Sequence, residues 1–191
     1  MSIIMYLGRN VKEYEDIAEQ IIEGQIRNGN IRCELCVKQM SRHSYYERGL
    51  KESGETINIT LMFCKPCNKW HALLPDFIIP HKHYSGNEIE SVIIDSADAA
   101  NVKYINTKAG EVTVRRWIKQ IGDRITQAVG VLKYIFGQAG RAINETAITP
   151  GPCYSELEQV LEMSTSSIKY SGNKLGLANL WLGTNAIKAY I

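Results

Sequence analysis

Apolar residues recur at helical spacing across residues 9–27, where Val11, Tyr14, Ala18, Ile21 and Ile22 fall together and Glu13, Glu15, Glu19 and Glu23 mostly fall on other faces. The pattern predicts an amphipathic helix, stopped by Asn28-Gly29-Asn30, residues that tolerate the left-handed backbone of a helix end. The period then changes. Ser44–Lys51 and Thr56–Phe63 are β-prone runs joined by the turn-forming Glu52-Ser53-Gly54-Glu55, which predicts a hairpin. Alternation over Thr56–Leu61 assigns Ile57, Ile59 and Leu61 to a buried face. Pro75 and Pro80 bracket the extended apolar stretch Asp76–Ile79, which cannot continue a helix. A helical pattern resumes at Ser85, a suitable N-cap, with Glu88 three residues on to complete a capping box.

The longest helical signal begins near Thr113. Val114, Trp117, Ile118, Ile121, Ile125, Val129, Leu132 and Phe136 recur at steps of three and four, which predicts a helix of about 25 residues, weakened by Gly122 and Gly130. Thr149-Pro150-Gly151-Pro152 reads as a linker. Beyond it Tyr154–Met163 is expected to be helical through Leu157, Val160 and Leu161, and the Ser-, Gly- and Asn-rich remainder to be small and partly helical.

Composition narrows the class. With 191 residues, 45% apolar and 22% charged, the chain suits a folded protein with one sizeable core or two small ones, and two is the expectation. The N-terminal run Met1–Leu7 lacks a basic flank and a small-residue cleavage site, and no stretch of about 18 apolar residues occurs. Neither secretion nor membrane insertion is expected, which leaves the cytoplasm. Charge is unevenly spread. From Lys103 to Arg141 eight basic residues face two acidic ones, a net of +6, whereas Ser85–Val102 holds four acidic residues and no Lys or Arg, a net of −4. A basic block of this kind becomes a footprint for a polyanion only when its side chains share a face.

Four of the five cysteines form two C-x-x-C pairs, Cys33–Cys36 and Cys64–Cys67, with 27 residues between them. Each such turn aims two thiolates at one point, and two turns close a tetrahedral shell for zinc. A shell of four thiolates keeps no position for water, so the ion would be structural. A redox pair would sit at a helix start, where the dipole lowers the thiol pKa, whereas these pairs flank strands. Iron in the same four-thiolate site stays open. Among the histidines, His71 could replace a cysteine or donate to a thiolate. His81 and His83 read as a solvated basic strand, His43 as a surface residue, and Cys153 as a packing thiol.

The two knuckles around a hairpin, the continuation Cys67-Asn68-Lys69-Trp70-His71-Ala72-Leu73-Leu74-Pro75-Asp76-Phe77-Ile78-Ile79-Pro80, and Tyr84-Ser85 opening a helix resemble an uncharacterised bacterial family of zinc-ribbon proteins associated with transposable elements. The resemblance spans about Ile31 to Arg124. It implies a ribbon followed by a helix-turn-helix, with DNA as partner. Thr113-Val114-Arg115-Arg116-Trp117-Ile118-Lys119 also resembles the start of a recognition helix in transposases and resolvases, with Trp117 and Ile118 toward the core and Arg115, Arg116 and Lys119 toward the groove. Asn101–Gly110 departs from that pattern, being long and polar where a turn of three or four residues is usual. An ordinary amphipathic helix with a solvated basic face is the competing interpretation.

The expected fold is α+β: an N-terminal amphipathic helix over 1–30, a small β zinc ribbon over 31–84, a mostly helical region over 85–148 with a candidate helix-turn-helix, and a linker with a small partly helical region over 149–191. The expected function is DNA binding without catalysis, associated with a mobile element in transposition or transcription regulation. No small-molecule substrate is expected. The alternative is a protein–protein adaptor that recruits a transposase or a polymerase component. None of the motifs G-x-x-x-x-G-K-[ST], G-x-S-x-G or H-E-x-x-H is present. RNA in place of DNA stays open, with Tyr45, Tyr46 and Trp70 too few and unordered to argue a stacking platform.

Overall fold

The computed structural model describes residues 2–98, 101–138, 153–165 and 172–184. Its fold is α+β, with, among the described residues, a four-stranded mixed sheet, one helix ahead of the hairpin and four after it. Strand β1 (Ser2–Met5) is followed by helix α1 (Val11–Arg27), strands β2 (Ser41–Gly49), β3 (Thr56–Cys64) and β4 (Lys69–Pro75), and helices α2 (Gly86–Asp98), α3 (Glu111–Gln138), α4 (Cys153–Thr165) and α5 (Lys174–Thr184). The sheet order is β1-β4-β3-β2, antiparallel except for the parallel β1–β4 pair.

The first helix forms where its apolar spacing places it. Asn10 caps it, its side chain accepting from Glu13 N–H at 3.0 Å. Val11, Tyr14, Ala18 and Ile22 are its buried face. Tyr14 crosses to the sheet and donates its hydroxyl to Asn58 O at 2.6 Å. Outside, Arg42 of β2 lies 2.5 Å from Glu19 and 3.0 Å from Glu23, tying the helix to the outer strand.

The expected hairpin is present, with Tyr45 paired to Thr60 and Gly49 to Thr56, and its register shifts between Arg42 and Ser44. Ile57 and Ile59 are buried as the alternation requires, but Leu61 is only partly so, and Thr60, Met62 and Cys64 on the opposite face are buried too. The buried face thus changes along β3: Thr56 and Asn58 are exposed beside buried Ile57 and Ile59, whereas toward the cysteine knuckles Thr60, Met62 and Cys64 are the buried set. Strand β1 was not anticipated: Ile3 and Ile4 lie beside Leu73 and Leu74, so residues assigned by sequence to a helical N-terminal segment complete the sheet.

Two hydrophobic cores result among the described residues. One joins α1, the sheet and the knuckles through Leu7, Ile22, Ile57, Ile59, Met62 and Leu73. The other joins α2, α3, α4 and α5 through residues such as Ile89, Trp117, Phe136, Leu157 and Leu175. The helices after residue 152 therefore pack into the same core as α2 and α3, and the boundary read near residue 149 does not separate cores. The linker itself, Thr149–Pro152, and the Cys153 side chain lie outside the described residues.

At the start of α2, Ser85 Oγ accepts from Glu88 N–H at 3.3 Å, but the reciprocal half of the expected capping box is absent. Ser85 N–H is taken by Glu52 at 2.6 Å, and the Glu88 carboxylate instead accepts from Thr107 Oγ1 at 2.6 Å and Lys108 N–H at 3.2 Å. Those contacts order the connection from α2 to α3. Its described part, residues 101–110, includes a 3-10 turn at Val102–Tyr104, in place of the tight turn of a helix-turn-helix. A helix-turn-helix is thus not confirmed. No helix among the described residues is long and apolar enough to cross a membrane.

Candidate metal centre

Cys33 and Cys36 sit in a knuckle between α1 and β2. Arg32 bridges Gln39 across its base, Cys33 N–H donates to Lys38 O at 2.9 Å, and Val37 N–H donates to Cys33 O at 2.8 Å. Closing so small a loop forces Val37 to φ 60°, a left-handed conformation that a β-branched residue adopts only under strain. The second knuckle is the turn between β3 and β4. Cys64 ends β3 opposite Lys69, and Asn68 takes φ 50° while its N–H donates to Lys65 O at 3.2 Å. Asn is among the residues that tolerate that backbone.

The β2–β3 hairpin returns the second knuckle to the first. Cys33 Sγ lies 3.8 Å from Cys67 Sγ, Cys36 Sγ lies 3.5 Å from Cys64 Sγ, and all four sulfurs fall within 4.8 Å of one another. A disulfide needs about 2.05 Å, so these are four free thiols. A tetrahedron with metal–sulfur bonds of about 2.3 Å has edges of about 3.8 Å, and the observed spacing fits it. The four residues predicted as ligands are therefore brought together, and the cluster could hold one metal ion.

The thiols oppose one another's ionisation. Cys67 is pushed up to about 12, first by the adjoining Cys36 thiol and then by burial, and Cys64 is raised chiefly by burial. Cys33 is held near 7: burial opposes its ionisation, but Leu35 and Cys36 N–H groups and the neighbouring thiols together outweigh it. Leu35 N–H lies 3.4 Å from Cys33 Sγ. A bound cation would favour the charged form of Cys64 and Cys67, against the burial and neighbouring thiols that raise them.

His71 of β4 is fully buried, with Nε2 3.5 Å from Cys33 Sγ. It stands outside the four-sulfur cluster, in position to donate to a thiolate and not to replace one. His43 is exposed and packs edge-on against Trp70 at 4.2 Å, with Phe63 4.8 Å from the same indole. Sequence spacing carried no sign of this aromatic group, because its members come from three strands.

The three residues predicted to contact DNA lie on α3, far along the chain from the knuckles. Arg115, Arg116 and Lys119 are exposed, while Val114 before them and Trp117 among them are buried and Ile118 is partly so. Arg115 lies 3.9 Å from Glu111 one turn earlier. Arg141, at the end of the basic block, lies outside the described residues.

Residues 33–117 match the model of a domain of unknown function, DUF6431. The matched span takes in both knuckles, the sheet from β2 onward, α2 and the first turns of α3. That description links the domain to no metal, no helix-turn-helix and no transposable element. No curated protein matches the chain, and no solved structure does.

Proposed function

We propose that this protein binds DNA without catalysing a reaction, with zinc as a structural ion in the four-cysteine cluster and the N-terminal half of α3 as the element that meets the duplex. The observation that carries the proposal is the partition of α3: Trp117 and Val114 are buried while Arg115, Arg116 and Lys119 project to solvent from the first turns of a long helix. Side chains in the first turns of a helix laid in the major groove are those that reach base edges. Zinc is favoured over harder cations because the donor set is four sulfurs, and a closed four-thiolate shell suits a structural ion.

In this reading the centre fixes the sheet, the sheet supports α2 and α3, and the helix presents its basic residues. The setting would be a mobile element, in transposition or transcription regulation, as the resemblance of the knuckles and of Thr113–Lys119 implies. A second reading, an adaptor for a transposase or polymerase component, is favoured by the exposed aromatic group of Trp70 and His43 on the sheet.

Binding to random duplex pools, with sequencing of the enriched fraction, tests the proposal. Arg115→Ala or Arg116→Ala should cost about 1–3 kcal/mol on the enriched site and much less on scrambled duplex. Lys119→Ala should weaken both alike and flatten the salt slope by about one unit. Parent-like binding by all three variants would remove α3 as the reader and favour the adaptor.

A further inference from the structure

A cavity of about 220 Å³ lies between the loop that follows Pro80 and the first half of α3. Lys51, His81, Lys82, His83 and Arg116 line it, with Trp117 and Gln120 behind, and no carboxylate is among its described lining residues. The loop is pinned from beneath. Arg48, buried, donates to Ile79 O at 2.9 Å and to Lys82 O, and Lys51 N–H donates to His83 O at 2.8 Å. Tyr84 packs edge-on against Trp117 at 4.8 Å. Lys82 is thereby held against α3, its ammonium 3.3 Å from Gln120 Oε1.

Arg116, Gln120 and Arg124 recur at steps of four along α3, so they form one column facing that ammonium. Burial first, then the charges of Arg124 and Arg116, push the Lys82 pKa down. Among the described residues Lys51, Lys82, Arg116 and Arg124 form no ion pair; of the neighbouring acids, Glu52 accepts from Ser85 N–H, Glu111 lies beside Arg115, and the exposed Asp123 next to Arg124 is not part of the cavity lining. Cations gathered at a partly enclosed site without a counter-charge repel one another, and an anion placed among them relieves that repulsion.

We propose that this cavity binds a phosphate group, with Lys51 and Lys82 as its cationic partners and Gln120 holding Lys82 in place. That the phosphate is a backbone phosphodiester rests on the DNA-binding reading. It would then be clamped between the sheet-side loop and α3, setting the angle at which Arg115 and Lys119 approach the duplex. Such a contact fixes position and carries no sequence information.

The experiment pairs duplex titrations at several salt concentrations with titration of inorganic phosphate followed by the backbone amide shifts of His83 and Arg116. Lys82→Gln and Lys51→Gln are compared with Lys12→Gln on the exposed side of α1, after melting and metal content confirm that each folds. The expected result is that phosphate shifts both amides in the parent. Lys82→Gln should abolish those shifts, lower the salt slope by about one unit and weaken preferred and scrambled duplexes equally. If the parent binds duplex, while Lys82→Gln and Lys51→Gln keep its affinity and slope, the phosphate site is overturned and the DNA reading stands. If phosphate shifts the amides but no duplex binds, the site stands and the DNA reading falls. If neither ligand binds, both fall.

Discussion

Glu90 of α2 accepts from the backbone N–H of Leu175, in the first turn of α5, at 2.9 Å and across 85 positions of sequence. The carboxylate satisfies a donor that the start of any helix leaves unpaired, and it also accepts from the Tyr154 hydroxyl of α4. One side chain therefore joins three helices. Burial raises the Glu90 pKa despite these donors. A carboxyl raised in the folded state favours folding below its unfolded pKa, and that contribution is lost as pH rises through the folded value. Glu90→Gln should accordingly flatten the fall in melting temperature as pH rises above the ordinary carboxylate range. Parallel melting curves against pH for parent and variant would show that Glu90 is not the group responsible.

The approach of α5 to the sheet is set by backbone contact. A Cβ on Gly176 would lie 2.3 Å from Asp76 O, just beyond β4. Gly176→Ala is expected to destabilise by about 3 kcal/mol in urea unfolding, the upper end of overpacking costs, because backbone must move. Gly130 on α3 is exposed with nothing within 4 Å of such a Cβ. Gly130→Ala should stabilise by about 1 kcal/mol.

At the metal centre, the parent should hold one ion per chain, and Cys33→Ser or Cys64→Ser should lose it together with the fold of the knuckles. His71→Ala should keep one ion per chain but lower its affinity about 10–100-fold, the usual loss when a donor behind a ligand is removed. Competition with a chromophoric chelator measures both, and parent-like affinity in His71→Ala would reduce that residue to packing alone.

Removal of residues 153–191 should uncover the apolar face of α3, since Leu157, Val160, Leu161, Leu175 and Leu182 are buried against one core. Each such side chain contributes about 1.5–3 kcal/mol, so the shortened chain is expected to bind a hydrophobic dye and melt well below the parent. A parent-like melt without dye binding would mean that α2 and α3 need no cover.

Local chemistry was legible. Helix α1 and its stop, the hairpin, the start of α2 and the long α3 follow from spacing, caps and turn residues, and the four cysteines from their two short turns, because each depends on neighbours a few positions apart. The sequence could not show β1, whose short apolar run acquires meaning only when β4 lies beside it. Nor could it show that Glu90 caps α5, that Glu88 turns from its own helix end to Thr107, or that Lys82 meets the Arg116 column. Residues alone determined which segments bend, coil or extend and which thiols can converge. Tertiary packing decided which charges and which unpaired backbone groups meet, since burial and distance between remote segments exist only once the cores have formed.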